Sequence, residues 1–153
     1  MSILELLKKL RGREKQVSEL KEKIALRRDA ATNITSRYGE STPGGGRAGD
    51  SMPNYAAEID ELTRKIADVT QLWQAEMSYC VALCDRYEGV ERTLIYNFYG
   101  KGWTLRAIAA SGGYSESYCR KIKAKLDESL KSAPIDDKRL PDWYIRRMSR
   151  HGE

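Results

Sequence analysis

The chain has 153 residues, the length of one ordinary domain or two small modules, and carries a net charge of +5. Its 41% hydrophobic and 32% charged content suits helices with apolar stripes, and no run approaches the roughly eighteen apolar residues of a membrane span. Valine is scarce and β-branched residues nowhere alternate, which argues against a broad sheet.

The opening segment repeats apolar residues at alternating steps of three and four: Ile3, Leu6, Leu10, Val17, Leu20, Ile24, Ala31 and Ile34. Arg13 and Arg27 occupy the two missing slots. A second segment runs Tyr55, Ile59, Leu62, Ile66, Val69, Trp73, Cys80, Leu83 and Tyr87, broken only by Glu76. Such spacing makes narrow seams of the coiled-coil kind, which a lone helix cannot bury. Each helix would extend about 50 Å.

Between them, residues 36–54 are rich in Gly, Ser and Pro and read as a flexible loop. An antiparallel hairpin asks that loop to cross only about 10 Å. A parallel pair would stretch it to about 50 Å, twice its relaxed size of roughly 25 Å. Residues 1–38 carry ten Lys/Arg against five Asp/Glu, and residues 54–87 three against six, so the two segments also attract. An antiparallel helical hairpin over 1–87 is therefore expected, although pairing between chains would satisfy the same seams and leaves a homo-oligomer open. Within the loop, Gly44 to Ser51 nearly spells a phosphate-binding motif, but Asp50 stands where the essential Lys belongs and no strand precedes it.

A short helix follows Glu88, with Val90, Leu94, Ile95 and Phe98 inward and an end at Gly100 or Gly102. Leu105 to Ala124 then fits a helix-turn-helix. Ala109 supplies the small residue at the helix crossing, and Gly113 the turn with positive φ. Ile108, Tyr114, Cys119 and Ile122 are the expected buried flanks. Thr104 caps the first helix, with Trp103 before it as an apolar staple. Ser115 caps the second, roughly Glu116 to Ser129, and Glu116 suits its dipole. Segment 101–131 carries seven Lys/Arg against three Asp/Glu, the footprint of phosphate contact. Pro134 and Pro141 break the chain in the basic-aromatic tail 133–153, where Asp142 is the expected cap of a last turn, Trp143 to Arg150.

The module over 88–132 resembles the C-terminal DNA-binding region of bacterial sigma factors, on Thr104, Ile108, Ala109, Gly113 and Ser115. The whole order, a helical hairpin with a Pro-Gly-Gly loop followed by this module, looks like small bacteriophage sigma-like or late-gene transcriptional regulators. Two positions depart from the pattern: Gly112 and Lys123 stand where apolar residues are common. The resemblance implies an all-α protein of the bacterial cytoplasm that binds double-stranded DNA, with RNA polymerase as a further partner. No region able to melt a promoter is present, so a complete primary sigma factor is not expected.

With the second motif helix in the major groove, Glu116, Ser117, Arg120, Lys121 and Ala124 face the bases. Arg120 suits a bidentate contact to guanine, and Glu116 accepts from cytosine. Thr104, Arg106, Ser115, Lys123 and Lys125 are assigned to phosphates, which set register. Two other functions fit the same composition: a DNA-packaging protein of the small-terminase kind, and a structural adaptor whose hairpin is the working part. Catalysis is not expected, because the only histidine is His151 and no Ser-His-Asp set can be read. Cys80 and Cys84 share a helix face but lack two further ligands, so no metal or other cofactor is expected. Charged Glu5, Lys8, Lys9 and Arg11 interrupt the opening leucines too early for a secretory leader.

Overall fold

The computed structural model describes residues 1–40 and 54–150, with the side chains of 34–40 left aside. Six α-helices account for most of these residues, and no β-strand is found among them. They are α1 (Ile3–Glu40), α2 (Tyr55–Cys84), α3 (Gly89–Thr93), α4 (Leu105–Gly112), α5 (Glu116–Lys131) and α6 (Asp142–Arg150). No described helix is long and apolar enough to cross a membrane. α1 continues through Ser36–Glu40, where the composition had suggested loop. The reason is that the first proline comes only at Pro43. The rest of that loop, with the near phosphate motif at 44–51, lies outside the described residues, as does His151.

The chain divides into two compact units, with the breaks inside the long helices. One holds Met1–Glu14 and Thr70–Glu153, the other Lys15–Val69. In the second, Ile24 is buried, while Val17, Leu20, Ile59, Leu62 and Ile66 are half-buried. Arg27 and Glu58 form an ion pair there at 3.0 Å, both side chains well exposed. A pair so wet contributes at most about 1 kcal/mol, so it sets register more than stability.

The larger unit contains nearly all of the core. Leu6, Leu7 and Leu10 of α1 meet Tyr79, Cys80 and Leu83 of α2, with Leu94, Ile95, Tyr99, Ile108, Cys119, Leu130 and Tyr144 in the same cluster. Leu4 and Leu7 are buried although neither belongs to the narrow seam, because α1 here is covered from more than one side. The chain start is tied down by Ile3 N–H donating to Ala133 O (2.9 Å) and Ile135 N–H donating to Met1 O (3.2 Å).

At the centre lies an ion pair between the two seam interruptions. Glu76 is 0% exposed and Arg13 9%. Arg13 Nε donates to Glu76 Oε1 and Nη2 to Oε2, each at 2.8 Å, a parallel two-bond fork. Tyr144 Oη of α6 adds a third bond to Oε2 at 2.6 Å. Burial alone depresses the Arg13 guanidinium, but the bonds and charge of Glu76 outweigh it and hold the group above its ordinary value. Burial raises the Tyr144 hydroxyl well above the usual phenol range, and Glu76 raises it further.

From Leu94 to Gly100 the backbone is π-helical, where a plain short helix had been expected. The wider turn brings both Leu94 and Ile95, and then Tyr99, into the core, leaving Phe98 only half-buried. Gly100 packs closely against α2, where a Cβ would sit 3.2 Å from Met77 Cε and push that flexible side chain aside by a few tenths of an ångström.

Two outcomes follow for stability. Glu76→Ala leaves Arg13 buried without its partner and should cost about 3–5 kcal/mol in urea unfolding, whereas the paired change Arg13→Met with Glu76→Leu should recover most of that. Tyr99 and Tyr144 both titrate higher folded than unfolded. Their contribution is therefore complete below about pH 10 and is lost as pH rises beyond it, which a pH series of melting temperatures would show.

Candidate nucleic-acid interface

Two capped helices and a glycine turn build the candidate surface. Thr104 is extended (φ −78°, ψ 157°), and its hydroxyl accepts from Ala107 N–H at 3.1 Å, starting α4. α4 ends at Gly113, whose φ of 74° suits glycine alone. The N–H groups of Gly113 and Tyr114 both reach Ala109 O, closing the helix end. Ser115 then opens α5, its hydroxyl accepting from Tyr118 N–H at 3.1 Å. Each capping hydroxyl keeps its own hydrogen to donate outward.

α5 has two opposite faces. Cys119, Leu126 and Leu130 are buried and Ile122 is half-buried, a stripe at helical spacing. Glu116, Ser117, Arg120, Lys121, Ala124 and Lys125 are exposed, as are Thr104, Arg106 and Ser115. Arg120 Nη2 reaches Glu116 Oε1 at 2.9 Å one turn back. That exposed pair contributes a few tenths of a kcal/mol, so Arg120 separates from it at little cost.

Lys123 differs from the other basic residues assigned to phosphate. Its Nζ binds Asp127 Oδ2 at 2.6 Å, with both side chains about a fifth exposed, and it lies 4.9 Å from the Phe98 ring centre. Tyr99 Oη donates to the other Asp127 oxygen at 2.5 Å. Lys123 thus replaces an apolar contact with an ion pair laid over aromatic rings, and serves to seat α5 on the π-helical segment. Arg11 of α1 packs on the same Phe98 ring. Its guanidinium lies 3.8 Å from the Phe98 ring centre and donates to Phe98 O (2.5 Å) and Trp103 O (2.9 Å).

Tyr114 and Trp103 depart from expectation. Tyr114 is 41% exposed instead of buried, and its ring lies against Gly112 so closely that a Cβ there would fall 2.7 Å from Cε2. Gly112 therefore makes room for the Tyr114 ring, which pairs with Tyr118 (45% exposed) at 5.8 Å between centres. Trp103 remains exposed and contributes its backbone, donating to Asn97 O and accepting from Arg11. The tyrosine pair and Asp127 were missed by sequence reasoning; the Lys123–Asp127 spacing of four was the available signal.

Gly113→Ala should lower stability by about 1–2 kcal/mol in urea unfolding, since a Cβ at positive φ is strained even in open space. Gly112→Ala should instead swing the exposed Tyr114 ring outward, seen as loss of the Tyr114–Tyr118 ring contact by NMR with a smaller stability change. No protein-family model matches the chain, and no curated protein or solved structure matches it either.

Proposed function

We propose that the chain is a sequence-specific, sigma-like transcriptional regulator of phage or prophage genes, reading duplex DNA through α4 and α5 as a helix-turn-helix. In this reading α1 and α2 form the antiparallel helical hairpin that carries the reader. The Arg27–Glu58 pair supports it, since the hairpin needs residue 27 of α1 opposite residue 58 of α2. The observation that carries the proposal is the polarity of α5. One face is fixed by Cys119, Leu126, Leu130 and the Lys123–Asp127 pair, and the other offers Ser117, Arg120, Lys121, Ala124 and Lys125 to solvent. A helix seated this firmly presents its polar face without ordering cost, as groove binding requires.

The roles divide by chemistry. Arg120 leaves Glu116 and donates to the O6 and N7 of one guanine, while Glu116 is released to accept from a cytosine amine. Lys121 faces the bases beside Arg120, Arg106 and Lys125 neutralise phosphates, and Thr104 and Ser115 donate their remaining hydroxyl hydrogens there. Lys123 acts as an anchor of α5, so its loss weakens the seat of the helix before any phosphate contact. The link to transcription comes from the resemblance to sigma-like regulators, with RNA polymerase and a second copy of the chain as further partners.

The two cations assigned to phosphates, Arg106 and Lys125, predict a slope of about −2 in log affinity against log salt. Arg120→Ala should cost about 1–3 kcal/mol at one base position and little elsewhere, measured on a set of single-base operator variants. Equal loss across all sequences would reassign Arg120 to phosphate. In a purified polymerase assay, addition of the chain should change transcription from the bound promoter; binding that leaves transcription untouched would reject the regulatory role.

A further inference from the structure

Two tyrosine rings stand at the start of α5, outside the apolar core. Tyr114 is 41% and Tyr118 45% exposed, with ring centres 5.8 Å apart and planes tilted by 32°. The turn itself holds both. Tyr114 N–H donates to Ala109 O and Tyr118 N–H to the Ser115 hydroxyl, while the Tyr114 ring lies in the space that Gly112 leaves. Cys119 is buried, so its neighbours Tyr118 and Arg120 flank the outward face of α5 on opposite sides, about 100° either way. Tyr118, Lys121 and Lys125 follow one another at steps of three and four along one edge of that face.

We infer that Tyr118, braced by Tyr114, packs on the 5-methyl group of a thymine, at a base pair other than the one read by Arg120. This contact presupposes the duplex reading proposed above and adds a second base to it. Besides donors and acceptors, the major groove displays one apolar group, the thymine methyl, and an exposed ring on a reading helix is matched to it. Ala124 is the other apolar residue on the outward face, but it lies six residues further along, about 9 Å from the end of the helix that meets base edges. Tyr118 stands in the first turn. A ring whose backbone and neighbour are already fixed gives up little freedom on contact. The two lysines on the same edge favour a polyanion over an apolar protein surface as the occupant.

The test starts from the tightest duplex that the full chain recovers from a randomised pool. Each thymine is replaced in turn by uracil, which removes the methyl group alone. Uracil at one position should weaken wild-type binding about fourfold, the worth of one buried methyl group, and elsewhere should change nothing. Tyr118→Ala should bind the thymine and uracil duplexes alike, Tyr118→Phe should keep the preference, and Tyr114→Ala should lower it. Tyr118→Ala should still discriminate at the guanine read by Arg120, which separates a lost methyl contact from a disturbed helix. A shared motif without thymine, thymines that all tolerate uracil, or an equal uracil penalty in the wild-type and Tyr118→Ala chains would overturn the methyl contact and leave the duplex reading standing. Unchanged DNA binding by Tyr118→Ala with loss of its effect on transcription would overturn it too, assigning the rings to a protein partner. Recovery of no shared motif would overturn the duplex reading itself, and this contact with it.

Discussion

The fully buried carboxylate of Glu76 is the constraint on which the larger unit depends. Its charge is balanced by the Arg13 fork, and Tyr144 donates a third hydrogen bond to it. Three elements distant in sequence, α1, α2 and α6, therefore have one arrangement in which the charge is satisfied. A buried pair of this sort adds little net stability over apolar residues of equal volume, but any misregister leaves a charge without a partner. Its contribution is specificity: a one-turn slip of α1 along α2 would keep the leucines in contact and break the fork.

That fixed frame explains how α5 comes to be held. Arg11, two residues before Arg13 on α1, grips the Phe98 and Trp103 carbonyls and lies over the Phe98 ring. The same π-helical segment receives α5 through Tyr99, Asp127 and Lys123. Position passes from the buried pair along α1 to the π-helical turn, and from there to α5. The polar face of α5 is thus a consequence of what its other face must satisfy.

Much of this was legible in the residues. The two caps at Thr104 and Ser115 and the turn at Gly113 depend on local chemistry, which fixed spacing reveals directly. The seams were readable for the same reason, and so were their interruptions: Arg13 and Glu76 break the two patterns with opposite charges, as an internal pair would. Their pairing was hidden, because Arg27 and Glu58 offer further partners of the same signs and spacing cannot rank burial. The π-helical turn was illegible, since Leu94 to Gly100 satisfies an ordinary helix equally well until the core demands Leu94, Ile95 and Tyr99 together. Tyr114 was misassigned because its burial depends on Gly112, whose missing Cβ draws the ring across the helix end instead of beneath it. Lys123 was assigned to phosphate although it stands where apolar residues are common, and Asp127 with two aromatic rings holds it half-buried.

The central claim, that α5 presents a base-reading face to duplex DNA, is tested most directly by recovering fragments bound by the full chain from a randomised duplex pool at physiological salt. The account predicts enrichment of one short common motif, protected in a footprint and containing a guanine whose replacement no longer discriminates between the wild-type and Arg120→Ala chains. Recovery of fragments without any shared motif, or retention of none, would contradict it.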